Sequence, residues 1–462
     1  MYKKEKTNSN GLNIIIVGCG KVGATLTEQL SKEGHDITII DKNAKAVQTL
    51  SDMYDVMGIA GNGASYSVQM EAGIENADLI IAVTGSDELN LLCCTVAKRV
   101  GNCSAIARVR TPDYSEEIED LREKLGLAMV INPEMESASE VARVLFLPTA
   151  LEVNAFAHGQ AEMIKIKIPE HNIMHGKSIA SLGKDVFCDI PICAVERNGE
   201  VFIPSGNFIL KSGDLVSFTA SRRNARLFLQ KVGFATNQVK DTMIIGGGRA
   251  AYYLAKQLMN MGIEVKIIEN DIKRCEELSE LLPKSVIING DGTDESLLKE
   301  EGIKTVQSFV PLTGIDEENI LLTLYAKQNS NAKVITKINR LAFKNVISSL
   351  DLGSVIYPRY ITSEAIIAYV RAKKDSQGSN IETLYHLFDS RAEAIEFKIG
   401  RKSEVTDRTL MDLKLKDNLL ITLINRNGNI IIPRGNSSLM LGDTVVVVTT
   451  NTGLNDIDDI LR

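Results

Sequence analysis

No stretch of the 462 residues approaches the ~18–20 consecutive apolar residues that a membrane-spanning helix requires. The apolar runs that do occur, such as Val445–Val448 and Leu419–Ile424, have the length of strands. The opening segment, MYKKEKTNSN, is charged and polar and lacks the apolar core of a secretory signal, so residues 1–11 read as a disordered tail. A cytoplasmic chain is expected, and any membrane role has to come through a partner. Excess positive charge is also missing. The net charge of −7 argues against sequence-independent nucleic-acid binding, which needs basic surface to displace counterions. Cys19, Cys93, Cys94, Cys103, Cys188, Cys193 and Cys275 are odd in number and form no CxxC pair, which suits reduced thiols better than a disulfide frame or zinc site. His171 and His175 stand four apart, but Pro169 and Gly176 flank them, so a solvated loop is favoured over a metal site.

What is present is repetition. Asn13–Asp41 matches Thr242–Glu269, with Gly18 paired to Gly246 and Asp41 to Glu269, both at an offset of 246 − 18 = 269 − 41 = 228. Gly61-Asn62-Gly63 pairs with Gly290-Asp291-Gly292 at 290 − 61 = 229, as do Thr84 with Thr313, Asn90 with Asn319 and Arg108 with Lys337. Asn198–Asn207 matches Asn427–Asn436, and Gly213-Asp214 matches Gly442-Asp443, again at 229. A collinear series of this length marks a tandem duplication of a unit of roughly 230 residues.

Each unit opens with alternating strands and helices. Ile14–Val17, Ile37–Ile40, Val56–Ile59, Leu79–Val83 and Ala105–Val109 are short, β-branched and apolar, as buried parallel strands are. Val22–Lys32, Ala44–Asp52, Ser65–Ala72 and Glu88–Arg99 read as helices between them. Met243–Ile245, Val265–Ile268, Val286–Ile288, Ser308–Pro311 and Val334–Ile338 repeat the strand series. The expected fold class is α/β: two tandem Rossmann-like, doubly wound parallel sheets, each followed by a small α+β C-terminal subdomain. The expected boundaries are 12–133 and 240–358 for the Rossmann parts, 134–150 and 359–375 for bridging helices, and 151–236 and 380–462 for the C-terminal subdomains. Val141, Val144, Leu145 and Leu147 give the first bridging helix an apolar face, for a partner element or for its own domain. In the β-rich parts, Ile164–Ile168 alternates, and Asn198-Gly199 is a hairpin signal because both residues accept φ > 0. The polar stretch Arg371–Asn380 reads as a flexible linker.

The chemistry is carried by Gly18-Cys19-Gly20-Lys21-Val22-Gly23, a GxGxxG between a strand and a helix. Its glycines allow a tight turn and backbone approach to a pyrophosphate, and the helix N-terminus presents N–H groups to the anion. Asp41, 41 − 18 = 23 residues on, can accept ribose hydroxyls and repel a 2′-phosphate, favouring NAD or an adenosine nucleotide over NADP. The second copy is Gly246-Gly247-Gly248-Arg249-Ala250-Ala251 with Glu269, where Ala251 replaces the third glycine. Lys21 and Arg249 share one position and read either as contacts to a terminal phosphate or as solvated helix starts. Asn62 follows the third strand, where an adenine can sit, and Thr84 ends the fourth. Arg108 and Lys337 read as anion contacts or as surface ion pairs.

The set GCGKVG, Asp41, GNG, TGSDELN and ARVR, then a β-rich part with IPSGN and SGD, resembles the RCK (KTN) domains. In tandem it is similar to the TrkA-type subunits of bacterial Trk potassium uptake systems. The resemblance implies a non-catalytic regulatory subunit that responds to NAD(H), ATP or ADP. It implies a homo-oligomer, from a dimer to a tetrameric ring, peripheral at the inner face of the cell membrane beneath a TrkH-type membrane potassium translocator, with no nucleic-acid partner. It assigns Gly18, Gly20, Lys21, Gly23, Asp41, Asn62, Thr84 and Arg108 to one nucleotide, together with the loop backbone at Cys19 and Val22. It assigns Gly246, Gly248, Arg249, Glu269, Asp291 and Thr313 to a second. Asn62 departs from the acid usual at its position, whereas Asp291 keeps it. The rival readings are a regulator of another ion transport system and an NAD-dependent dehydrogenase. Against the dehydrogenase, no Tyr-x-x-x-Lys pair with an assisting serine stands out, and His158 has no evident partner.

Overall fold

Uninterrupted β-branched runs become the central strands of two parallel sheets, because strands covered on both faces need no polar alternation. The computed structural model describes residues 11–115, 118–186, 190–339, 347, 350–374 and 380–462. The tail at 1–10, Cys188 and residues 375–379 of the expected linker lie outside them. The chain divides into two units. One runs to Glu136 and includes Pro358–Ile367; the other comprises Ser137–Tyr357 and Ala368–Arg462.

In the first unit β1 (Asn13–Val17), α1 (Lys21–Lys32), β2 (Asp36–Asp41), α2 (Ala44–Tyr54), β3 (Met57–Ala60), α3 (Tyr66–Glu71), β4 (Leu79–Ala82), α4 (Asp87–Val100), β5 (Ser104–Arg108), α5 (Pro112–Ser115), α6 (Ile118–Lys124) and β6 (Met129–Ile131) follow in order. The strands pair in parallel in the order β3-β2-β1-β4-β5-β6, which reverses direction at β1 and β4. Ile14, Ile15, Ile16 and Val17 are all buried, so β1 is covered on both faces. One face packs Ile15, Val17, Ile80 and Ala82 against Cys93, Cys94 and Ala97 of α4. The sixth strand and the helices before it were not expected. Three-residue strands are too short to show a period.

Next comes α7 (Pro133–Phe146), four residues shorter than the expected helix end at 150. Its apolar residues Val141, Val144 and Leu145 are buried within the chain. Around them Val239 N donates to Leu145 O at 3.3 Å, and Gln257 Nε2 donates to Ser139 Oγ at 3.0 Å. The helix face is therefore covered by its own chain.

The first C-terminal subdomain contains β7 (Glu152–Phe156), β8 (Ala161–Lys167), α8 (Ile179–Val186), β9 (Ile192–Arg197), β10 (Glu200–Phe202), β11 (Leu215–Ala220) and α9 (Arg222–Lys231), with the antiparallel sheet ordered β10-β9-β11-β8-β7. Asn198 and Gly199 take φ of 54° and 84°, as the hairpin requires. His171 and His175 lie on the turns after β8, and His175 Nδ1 accepts from Ser212 N at 2.9 Å.

The second Rossmann part repeats the first: β12 (Asp241–Ile245), α10 (Arg249–Asn260), β13 (Glu264–Glu269), α11 (Ile272–Leu281), β14 (Val286–Asn289), α12 (Glu295–Glu300), β15 (Ser308–Pro311), α13 (Asp316–Asn329), β16 (Lys333–Lys337) and β17 (Ser354–Ile356), ordered β14-β13-β12-β15-β16-β17. Then α14 (Pro358–Lys374) leads to β18 (Asn380–Leu387), β19 (Ala392–Lys398), β20 (Leu419–Arg426), β21 (Asn429–Ile431) and β22 (Thr444–Thr449), ordered β18-β19-β22-β20-β21.

The two C-terminal subdomains share a buried cluster. Phe156, Met163, Cys193 and Ala194 of the first join Leu387, Phe388, Ala394, Leu423 and Val446 of the second in one cluster. Tyr385 packs edge-on to Phe156, and its hydroxyl donates to Ala155 O at 3.2 Å. Ala161 and Met163 of β8 are buried in this cluster, while Lys165 and Lys167 further along the strand keep the alternation of its sequence. The repeated Gly-Asp pairs are structural too: Asp214 and Asp443 each take a two-pronged bond from an arginine, Arg197 or Arg426.

Arg371, expected to open a flexible linker, instead lies in the last turn of α14 and is 3% exposed at its side chain. It pairs with Glu393, itself 2% exposed. Removing one partner of a buried pair strands the other charge. Glu393→Ala should therefore cost about 3–5 kcal/mol and lower the urea midpoint, while replacing both residues by methionine should recover most of the loss.

Candidate functional site

The end of β1 turns into α1 through Gly18, whose φ of +111° suits glycine. Gly18 N donates to Ile40 O at 2.8 Å, fixing the turn to β2. Gly23 is required for a different reason: a Cβ there would lie 1.8 Å from Gly18 O. The helix thus starts directly against the turn. Gly20 caps α1 with no side-chain bond, and the first turn holds no acid, so neither a capping side chain nor a carboxylate competes for its amides. Lys21 is exposed at this start, whereas Val22 is buried and offers the site only its backbone.

The Asp41 carboxylate is built into the loop. One oxygen accepts from Cys19 N at 2.7 Å and the other from Asn43 N at 2.8 Å. Ionised carboxylate oxygens keep further lone pairs, so ribose hydroxyls can be added to these bonds. Burial, and then the Asp41 charge, push the Cys19 thiol up to about 12, which keeps it protonated and unreactive.

The other strand ends converge on the same place. Gly61 N donates to Asp41 O at 2.9 Å, and Gly63 packs its backbone over Val17. Asn62 is exposed and closes its own turn through Ala64 N. Thr84 lies beside Gly18: a Cβ on the glycine would come 3.0 Å from Thr84 N. Arg108 donates to Thr84 O, bracing the end of β4 from β5.

A buried residue in the first turn of α4 organises this edge. Asn90 is fully buried; its Oδ1 accepts from Thr84 N at 2.8 Å and Thr84 Oγ1 at 2.7 Å, and its Nδ2 donates to Arg108 O at 2.9 Å. Asn319 does the same for Thr313 and Lys337 O. Asp87, one turn earlier, accepts from Arg110 N, Thr111 N and Thr111 Oγ1.

The second copy reproduces the plan. Gly246 has φ +95°, and its N donates to Ile268 O at 2.8 Å. Glu269 accepts from Gly247 N at 2.6 Å and Asp271 N at 2.8 Å. Gly248 and Arg249 are exposed at the start of α10, which also lacks a side-chain cap and a first-turn acid. Ala251 occupies the position of Gly23 and is fully buried, so α10 cannot approach its turn as α1 does. Asp291 is exposed and bonds Thr293 N and Oγ1; these bonds hold its carboxyl below the usual range. Lys337 Nζ donates to Leu312 O at 2.8 Å, the counterpart of Arg108.

A cavity lined by Asn13, His35, Asp36, Tyr54 and Met57 opens at the amino ends of β1–β3, opposite the glycine turn. In the second copy Lys266 reaches across the equivalent space to Glu301 at 2.8 Å. The amides and carboxylates described above lie at the other end of each sheet. The Tyr-x-x-x-Lys spacing does occur, at Tyr252–Lys256 of α10 and Tyr369–Lys373 of α14. Tyr252 is buried, and Lys256 lies over its ring, 5.9 Å from the centroid.

Family models match the chain twice in order: the TrkA-N domain over residues 14–133 and 242–358, and the TrkA-C domain over 163–233 and 394–462. A Trk system potassium uptake protein TrkA from Haemophilus influenzae is 32% identical over 440 residues, covering 94% of this chain and 95% of that protein. A homologue from Methanosarcina mazei is 32% identical over 455 residues, covering 97% and 99%. Among solved structures, a GsuK channel bound to NAD aligns with a TM-score of 0.62 at 18% identity, over 97% of this chain and 78% of that one. A GsuK bound to ADP aligns with a TM-score of 0.50 at 15% identity, over 78% and 69%. Among the described residues no helix is long and apolar enough to cross a membrane.

Asp87 generates a pH prediction. Burial works to raise its pKa, but the bonds from Thr111 and Arg110 and the Arg110 charge outweigh burial and hold it below the usual carboxylate range. A group with a lowered folded pKa stabilises the fold above its unfolded pKa and loses that contribution as pH falls through the folded value. Asp87→Asn should thus be less stable at neutral pH and show a shallower loss between about pH 4 and the acid limit, read by thermal melts across pH.

Proposed function

The chain belongs to the TrkA family of Trk system potassium uptake proteins, and on that premise we propose that it is a nucleotide-sensing regulatory subunit controlling a membrane potassium translocator of the TrkH type. The observation that carries the reading is the paired glycine loop and acid: Asp41 on Cys19 N and Glu269 on Gly247 N, each beside an uncapped helix start. Pyrophosphate or terminal phosphates dock on the amides of α1 or α10, and the acid accepts the adenosine ribose hydroxyls. Lys21 and Arg249, at the mouths of the loops, meet the outer phosphates. Asn62, Thr84, Asp291 and Thr313 border the same crevices, while Arg108 acts from behind by holding Thr84. The ligands are NAD(H), ATP or ADP. That the similarly folded GsuK has been seen with NAD and with ADP supports this choice.

Regulation is a population shift. Nucleotide moves the equilibrium between two arrangements of a homo-oligomer by its differential affinity for them, and the translocator reads the result at the inner membrane face. An inert Cys19 and structural roles for Arg108 and Lys337 suit binding rather than turnover. Calorimetric titration of the full chain with NAD, NADH, ADP and ATP tests this. Asp41→Ala and Glu269→Ala should each abolish or weaken about tenfold the binding at one site and leave the other intact. Wild-type protein that binds none of the four would overturn the sensing role.

A further inference from the structure

The two loops share most of their backbone contacts, and one difference between them brings in a charged side chain. In the second copy Arg274, in the first turns of α11, donates from Nε to Gly247 O at 2.8 Å and from Nη1 to Glu277 Oε2 at 2.8 Å. Gly247 is the residue whose N–H is held by Glu269. Carboxylate and guanidinium therefore grip the two ends of one residue of the glycine loop. Leu278 closes in as well: a Cβ on Gly247 would lie 2.6 Å from Leu278 Cδ1. The helix caps Asn43 and Asp271 fix the alignment at 271 − 43 = 228, so Arg274 corresponds to 274 − 228 = 46. That residue is Ala46, and Glu277 corresponds to Thr49, whose hydroxyl bonds Lys45 O. The first site has a methyl group where the second has a cation.

Two separate nitrogens of Arg274 are tied to different groups, so the plane of the guanidinium is fixed, and the side chain is 26% exposed. A planar cation with its edge anchored and part of its side chain exposed can serve as a stacking surface for an aromatic ring. It stands beside the acid that receives the ribose, at the adenosine end of the site, where the base follows the sugar.

We propose that Arg274 is a specificity-determining residue of the second site, forming a preset platform on which the adenine ring of the nucleotide stacks, and that it makes this site the tighter of the two for adenine nucleotides. The inference rests on the nucleotide reading of the glycine loops. At Gly247 the space a Cβ would need is taken by Leu278 and Glu269.

The test uses the full chain carrying Asp41→Ala, so that titration with ADP reports the second site. Arg274→Ala should weaken ADP binding about tenfold. Arg274→Lys, which keeps a charge and a donor for Gly247 O but loses the plane, should be nearly as weak. In the complementary experiment, in a Glu269→Ala chain, Ala46→Arg together with Thr49→Glu should tighten ADP binding at the first site. This gain does not depend on the stability of an Arg274 variant. Full recovery by Arg274→Lys would show that the arginine acts through charge or by clamping the loop, and would overturn the proposal. So would a loss confined to NADP, which would mean the guanidinium reads a 2′-phosphate, or unchanged ADP affinity in Arg274→Ala. If the unsubstituted chain binds no ADP at all, the nucleotide reading itself fails, a result distinct from each of these.

Discussion

The site depends on one kind of interaction: a carboxylate at the end of the second strand that holds the backbone of the glycine loop. Asp41 and Glu269 each accept from the middle residue of the loop and from the residue two places beyond themselves. Charge-assisted bonds of this type are stronger than neutral ones and short. They fix where the loop lies before any ligand arrives, so a nucleotide meets amides and an acid already in place. Pre-organisation of this kind lowers the entropy cost of binding.

Around that bond the protein has repeated one construction and varied it. The buried asparagines Asn90 and Asn319 tie the fourth strand to the fifth in both copies, and both C-terminal hairpins use Asn-Gly. The variations cluster at the glycine loops: Ala251 for Gly23, Gly247 for Cys19, Arg274 for Ala46. A duplicated site freed from having to serve as the only binding site can change its ligand preference, whereas the shared strand-end bonds keep the sheet edge rigid. The shared cluster of the C-terminal subdomains ties the two copies together, since Phe156 and Leu387 are buried in it side by side.

Much of this was legible in the residues. The parallel α/β class follows from the alternation of apolar runs and helices, and the loop and its acid follow from spacing. What the sequence hid were contacts whose partners are distant. Arg371 looks like the start of a polar linker because its partner Glu393 is 22 residues on and belongs to another element. Arg108 looks like a surface cation because nothing local shows that its guanidinium turns back to Thr84 O. The three-residue strands β6 and β17 carry too little pattern to be seen. The alternation of Ile164–Ile168 holds at Lys165 and Lys167, whereas the burial of Ala161 and Met163 at the start of the same strand comes from the second copy.

Hydrogen exchange of the full chain with and without ADP or NAD tests the central claim most directly. The account predicts slowed exchange at the amides of residues 18–23 and 61–65 in the first copy and 246–251 in the second. It predicts no change at the amino ends of the strands, around His35 and Val56. Unchanged exchange in both glycine loops, or protection confined to the amino-end cavity, would contradict it.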